Sequence, residues 1–278
     1  MNRMRASAAA TAERTGSGFT EAGSERGGEY AVTVLDAPPG SAPARLGARF
    51  ADRSPILLFC LTTLAGYVLL VAAAIGVGFL LVDVLLPVHA IGHSDEAVND
   101  WLAAHRSGSR NDATFYGSAI GDIPFIPALV ILTALGAAIM RRWRVAAFSV
   151  GAILQEVATY RLTSLIVHRD RLGVPRLDHL PVNQSYPSGH VAASVVVYVG
   201  LALLITSLLN GRRAVLLVWA VAIVLPLIVA FSRLYRGMHH PIDATAGVLI
   251  GLASIAIALF AMRAAGEAAR LRAERSAR

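Results

Sequence analysis

The chain has 278 residues, of which 55% are hydrophobic and 15% are charged, and its formal net charge is +7 at pH 7. This composition is too apolar for an ordinary soluble domain, and the apolar residues form blocks long enough to span a bilayer. The basic residues lie in connections near these blocks without interleaved aromatics, which argues against a nucleic-acid partner. The single cysteine, Cys60, excludes a disulfide within this chain and a Cys/His metal cluster.

Residues 1–54 are rich in Ala, Gly, Ser, Arg and Glu, which predicts a disordered tail, and the lack of an early apolar core argues against a signal peptide. A membrane domain is predicted over residues 55–265, followed by a short tail, 266–278. Its apolar blocks predict six transmembrane helices in an all-α bundle, at about 55–82, 123–140, 145–167, 189–209, 214–231 and 242–262.

An even number of spans places both termini on one side of the membrane. Arginines cluster on that side, at positions 45, 49, 53, 141, 142, 144, 212 and 213. The positive-inside rule therefore predicts cytoplasmic termini in a multi-pass plasma-membrane protein, with the loops after spans one, three and five facing outward.

A short interfacial helix is predicted between the first two spans. Ser94, followed by two acidic residues, reads as a helix start, with Val98, Trp101, Leu102 and His105 on one face. We expect this helix to lie at the membrane surface as a lid or platform. On the last span, Gly247 and Gly251 predict close packing against another helix.

The run Ser232-Arg233-Leu-Tyr-Arg-Gly-Met-His239-His-Pro-Ile-Asp243 lies between two apolar blocks. If a helix starts near Pro241, Asp243 lies one turn from His239, and its carboxylate can hold one imidazole nitrogen. Arg233 supplies a fork of donors suited to phosphate. His240 is interpreted as an interfacial neighbour.

The run Tyr186-Pro187-Ser188-Gly189-His190 precedes another apolar block. Ser188, Gly189 and His190 are therefore expected in the first turn of a helix, where free N–H groups form an anion site. Gly189 has no side chain to block an oxyanion. Arg169 and Arg171, upstream on the same loop, would complete a phosphate pocket with two histidines.

Both runs resemble signatures of the type 2 phosphatidic acid phosphatase superfamily, which includes membrane lipid phosphatases and vanadium haloperoxidases. The matching residues are Pro187-Ser188-Gly189-His190 and Ser232-Arg233-x5-His239-x3-Asp243. A further signature, Lys-x6-Arg-Pro, is half present: with Arg171 as its arginine, Ser164 takes the lysine position and Leu172 the proline position. The chain contains no lysine. Arg169 could supply the missing charge, or Arg161, although its side chain would lean away from the loop.

The resemblance implies a phosphatase that uses neither metal nor cofactor and acts on a membrane lipid phosphomonoester or isoprenoid diphosphate at the outer face. His239, oriented by Asp243, would attack phosphorus, and His190 would serve as acid and then base. Charge on the phosphoryl oxygens would be stabilised by Arg171, Arg233 and the N–H groups of Ser188 and Gly189. Two alternatives stay open: a phosphotransferase on the same scaffold, and a catalytically silent lipid-binding or transport relative.

Overall fold

The structure, a computed structural model, describes residues 33–178 and 184–278. Residues 1–32 of the predicted tail lie outside the described residues. The described part contains α-helices, short helical turns and one isolated β-bridge, which confirms the all-α class. The helices are α1 (Ala42–Arg49), α2 (Pro55–Phe79), α3 (His89–Ala104), α4 (Gly108–Ala119), α5 (Phe125–Ile139), α6 (Trp143–Ile166), α7 (Gly189–Thr206), α8 (Arg212–Tyr235) and α9 (Pro241–Ser276).

Helix starts follow local sequence signals. Ser54 precedes Pro55 at the start of α2, and its hydroxyl accepts the N–H of Leu57 at 3.5 Å. Pro241 begins α9 in the same way. At the other end, α8 stops where Gly237 takes a φ of +72°, a left-handed conformation that suits glycine. The chain thereby turns between α8 and α9 at the position of the motif that contains His239.

Two helices form the centre of the bundle. In the most apolar 18-residue stretch of each helix, 56% of α7 and 50% of α9 are buried, against 17% of α8. The helices α7 and α9 are therefore central, and α8 is peripheral. A Cβ added at Gly247 would lie 2.5 Å from the carbonyl of Ser188, and one at Gly251 would lie 2.7 Å from that of Ala192. These two glycines let the backbones of α7 and α9 touch, as predicted.

Among the described residues, four helical segments are long and apolar enough to cross a membrane: Pro55–Leu85, Gly189–Thr206, Arg212–Tyr235 and Pro241–Ser276. The predicted second span falls on α5, a shorter apolar helix of 15 residues. The predicted third span falls on α6, which has 24 residues but contains Gln155, Glu156 and Arg161. The chain is a multi-pass membrane protein, and the count of six spans stays a prediction.

The flanking segments differ from the predicted tails. Within residues 33–54, α1 is helical and packs on α9, where a Cβ at Gly47 would lie 2.5 Å from the carbonyl of Ala264. At the other end, α9 continues through the predicted tail to Ser276. The reason is that α1 packs on α9 and covers Ala264 and Ala268. These two residues lie just after the last apolar block, yet both are fully buried.

The helix between the first two spans is present as α3, but it begins at His89 rather than at Ser94. Ser94 lies inside it and donates its hydroxyl to the carbonyl of Ala90. Two members of the predicted apolar face, Val98 and Trp101, are exposed. The buried face of α3 contains Asp95, Asn99 and Leu102.

Candidate active site

The N-terminal ends of α7 and α9 meet the C-terminal end of α8 at one end of the bundle. Val191, Val229 and Ala244, one on each helix, form a single buried cluster beside the motif residues. The backbone N–H of Ser188 donates to the carbonyl of Asp243 at 3.1 Å. The two motifs are therefore in direct contact although they lie far apart in sequence.

The ring of His239 lies inside this junction and is buried. Its Nδ1 is 2.7 Å from the carbonyl oxygen of Ser185. Because a carbonyl only accepts, Nδ1 carries the ring proton and Nε2 keeps its lone pair. Burial, together with the positive charges of Arg233 and Arg171, holds the pKa of His239 well below its usual range. His239 is therefore a neutral imidazole at neutral pH, with Nε2 available as a nucleophile.

Of the two adjacent histidines, Asp243 contacts His240 rather than His239, which corrects the predicted contact. Its Oδ2 accepts the backbone N–H of His240 at 3.0 Å and lies 3.1 Å from Nδ1 of the same residue. The cause is the helix start: Pro241 is the first residue of α9, so His240 is the N-cap, and an acidic residue three positions later folds back onto it. His240, predicted to be interfacial, is consequently buried.

His190, in the first turn of α7, pairs with a carboxylate that the sequence analysis did not assign to the site. Its Nε2 lies 3.1 Å from Oδ1 of Asp122, in the connection between α4 and α5, although the ring N–H is poorly aligned with that oxygen. The contact with His190 holds the pKa of Asp122 below its ordinary value. Asp122 is therefore an anion at neutral pH and favours the protonated form of His190.

Arg233 is 1% exposed, and only part of its N–H groups donate to other described residues. One terminal nitrogen donates to the hydroxyl of Ser118 at 2.9 Å and to Asp178 at 3.0 Å. Its Nε and its other terminal nitrogen have no partner among the described residues, although both are buried. Unpaired buried donors on a guanidinium are costly, so this geometry fits an anion bound against Arg233.

The two arginines of the preceding loop differ in what they contact. Arg171 donates to the carbonyl of Met238, the residue before His239, so its guanidinium lies near His239. Arg169 is buried and donates to two carboxylates, Asp95 and Asp243. We therefore assign Arg169 to clamping the loop, in place of the predicted phosphate contact.

The two remaining candidates for the first signature lie elsewhere. Arg161 is exposed and stands over the ring of its neighbour Tyr160, with its guanidinium carbon 5.7 Å from the ring centre. Ser164 is buried and donates to the carbonyl of Arg161 within the same helix. The structure therefore brings neither residue to His239, and the missing lysine has no substitute at these positions.

The first turn of α7 fits an anion in part. The backbone N–H of Ser188 is used by Asp243, which removes it from the predicted set of oxyanion donors. Gly189 begins the helix, where N–H groups have no intrahelical acceptor, so this donor remains suitable. A Cβ at Gly189 would meet the ring of Tyr160 at 3.1 Å, so the small residue is needed for packing as well.

Three further residues complete the surroundings of the site: Asp122, Asp178 and Asn99. Asp178 accepts from Arg236 as well as from Arg233. A signal for Asp178 was present in the sequence, because a carboxylate in an arginine-rich loop suggests an ion pair. Asp122 and Asn99 lie far upstream and carry no local signal. Among residues 33–178 and 184–278, no group of three or more His, Cys, Asp or Glu side chains could hold a metal ion.

Comparison with known proteins relates part of the chain to a family. The profile of the PAP2 superfamily matches residues 152–267, a range that contains both motifs and both loop arginines. This match confirms the predicted resemblance over residues 152–267.

Individual relatives share smaller parts. An undecaprenyl-diphosphatase of Sulfolobus acidocaldarius is 33% identical over 107 residues, which are 38% of this chain and 48% of that protein. The chain thus spans about half the length of this curated relative. The crystal structure of the first transmembrane PAP2 type phosphatidylglycerolphosphate phosphatase from Bacillus subtilis superposes with a TM-score of 0.57 at 22% identity, covering 74% of this chain and 94% of that one. Aquifex aeolicus LpxE gives 0.47 at 21% identity, covering 59% and 93%.

Proposed function

We propose that this protein hydrolyses a lipid phosphomonoester or an isoprenoid diphosphate at the outer face of the plasma membrane, through a phosphohistidine on His239. The observation that carries the proposal is a neutral, buried imidazole at the same junction as Arg233, two of whose buried nitrogens have no partner among the described residues. The first can attack phosphorus, and the second can hold its oxygens. The S. acidocaldarius relative supports a polyprenyl diphosphate among the possible substrates.

In the first step, Nε2 of His239 forms a bond to the terminal phosphorus as the bond to the leaving oxygen breaks. His190, in its protonated form, gives its proton to that oxygen, so the leaving lipid alcohol or lipid monophosphate does not carry the extra negative charge. In the second step, water attacks phosphorus, His190 takes its proton, and the N–P bond breaks to release inorganic phosphate.

The equatorial oxygens would be held by Arg233, Arg171 and the N–H of Gly189. Electrostatic stabilisation of this kind is the main catalytic contribution in phosphoryl transfer. Because the guanidinium groups supply the positive charge, the scheme requires no metal. Activity that survives EDTA supports this point, whereas complete loss with rescue by magnesium contradicts it.

The central experiment measures phosphate release from purified protein with phosphatidate, phosphatidylglycerol phosphate and polyprenyl mono- and diphosphates. His239→Ala should reduce the rate by more than about a hundredfold, because losing a covalent catalyst removes the pathway. His93→Ala, on the exposed side of α3, is the matched control and should keep the wild-type rate. Retention of more than about a hundredth of the rate in His239→Ala would exclude His239 as the nucleophile.

The outward orientation is tested separately. In a Cys60→Ser background, a cysteine is placed either at Gly173, in the exposed loop before α7, or at Gly211, in the turn between α7 and α8. Cytoplasmic termini require that a membrane-impermeant maleimide added to whole cells labels Gly173→Cys and leaves Gly211→Cys unlabelled. The reverse pattern would place the site on the cytoplasmic side.

A further inference from the structure

The helix between the first two spans presents a polar face to the candidate active site. Its buried residues Asp95, Asn99 and Leu102 repeat at helical spacing, while Trp101 on the other side is 61% exposed. A helix that only rests on a membrane surface keeps its polar residues in water, whereas α3 buries an amide and a carboxylate within the protein. The buried amide and carboxylate of α3 therefore point to a function within the protein.

Asn99 spans the loop that contains His239. The side chain is fully buried, and its amide nitrogen donates to the carbonyl of Leu234 at 3.0 Å and to the carbonyl of His239 at 3.1 Å. Leu234 directly follows Arg233. A single amide group thus ties the end of the helix that bears the phosphate-binding arginine to the backbone of the proposed nucleophile.

Asp95, one turn earlier on α3, fixes the other side of the same loop. It accepts the backbone N–H of Ile242, in the first turn of α9, at 3.0 Å, and it pairs with Arg169. Between them, Asp95 and Asn99 hold the loop at Leu234, His239 and Ile242. The ring of His239 is held independently by the carbonyl of Ser185.

We infer that Asn99 is a positioning residue for the phosphoryl-transfer step: it sets the direction from which Nε2 of His239 meets a phosphoryl group held by Arg233. The inference rests on the proposed function and deepens it. It follows from geometry, because a displacement of about 1 Å between reacting groups can reduce a rate by about a hundredfold. Asn99 is expected to contact neither substrate nor the reacting atoms.

Two variants of similar size test the inference. Asn99→Asp keeps the shape but replaces the donor with acceptors that face two carbonyl oxygens, and Asn99→Leu removes the polar group. Asp100→Asn, on the neighbouring exposed position, is the control. For both Asn99 variants we expect kcat to fall about 10- to 100-fold with KM within about threefold of wild type. Inhibition by vanadate, which mimics the five-coordinate transition state, should weaken by about the same factor as kcat, while inhibition by product phosphate stays unchanged.

Rates are expressed per folded molecule, counted from the monodisperse peak in detergent, so that loss of folded protein does not imitate loss of kcat. Wild-type kcat in both Asn99 variants, or a parallel rise in KM and in the inhibition constant for phosphate, would overturn the positioning role while leaving the proposed function intact. If wild type releases no phosphate from any lipid of the panel, the proposed function fails and the inference falls with it.

Discussion

Arg169 and Arg233 are both buried arginines at the same end of the bundle, yet their surroundings differ. Arg169 faces two carboxylates, Asp95 and Asp243, one on each terminal nitrogen. Arg233 shares one carboxylate, Asp178, with Arg236 and keeps two buried nitrogens without a partner among the described residues. If Arg233 binds the phosphoryl group as proposed, its unused donors, rather than burial or charge, distinguish it from Arg169.

The largest effect is expected for Arg169→Met, measured as stability. The change leaves Asp95 and Asp243 buried without their common cation, which should cost about 3–5 kcal/mol of unfolding free energy. Thermal or denaturant unfolding in detergent checks this value. Arg161→Met, at an exposed position, is the control and should change stability little; equal effects of the two variants would contradict a clamping role for Arg169.

For Arg233→Met the main effect should be on catalysis. Losing the donors to the transferring phosphoryl group should lower kcat about 100- to 1,000-fold. The stability loss should be smaller than for Arg169→Met, because Asp178 keeps its contacts with Arg236. Phosphate release and unfolding are measured on the same preparations. A variant that unfolds as readily as Arg169→Met, or that keeps its rate, would remove the distinction between the two arginines.

The pH dependence of stability should report the buried imidazole. Because the pKa of His239 is held well below its usual range in the folded protein, the unfolded chain alone takes up this proton below about pH 6.5. Stability should therefore fall as the pH drops below about 6.5, by at most about 1.4 kcal/mol per pH unit from this group. In His239→Gln that contribution is lost, so unfolding midpoints between pH 7 and 5 should change less than in wild type. Parallel slopes would contradict the buried neutral state.

The smallest effect is expected for Asp122→Asn. Without the carboxylate, the protonated form of His190 loses its ion-pair partner, so the alkaline limb of the kcat profile should move to lower pH, with a loss of several-fold at neutral pH. Asp112→Asn, at an exposed position on α4, is the control. An unshifted alkaline limb would show that Asp122 does not act on the proposed acid.

Much of the site was predictable because its polar and charged residues occur between long apolar blocks. Arg233, His239 and Asp243 lie between apolar blocks, and Pro241 fixes the start of a helix among them. Helix ends placed by proline and by long apolar runs depend on a few neighbouring residues, so the arrangement of α7, α8 and α9 follows from local sequence.

The partners of these residues were less accessible. Whether Asp243 turns to His239 or to His240 depends on which residue is the N-cap of α9, a difference of one position. Which of Arg169 and Arg171 lies beside His239 depends on Asp95, a residue 74 positions away in the chain. Long-range pairing of this kind leaves no trace in local spacing.

The polar face that α3 buries against the protein was not predicted, for a related reason. The exposed Trp101 of this helix fits a membrane-surface helix, and the pattern of apolar residues carries no information about Asp95 and Asn99, whose partners lie at the ends of α8 and α9 and in the loops beside them. A buried polar face can be recognised only when the groups that satisfy it are known.

The length of α9 joins the two ends of the molecule mechanically. Its 36 residues extend about 54 Å at about 1.5 Å per residue, against a hydrocarbon thickness of about 30 Å. One uninterrupted helix thus begins at Pro241, beside the candidate active site, and is packed against α1 at Ala264 and Ala268, more than 20 residues further on. A binder that tilts α9 where it packs on α1 should therefore also shift the first turn of α9, and with it the position of Asp243.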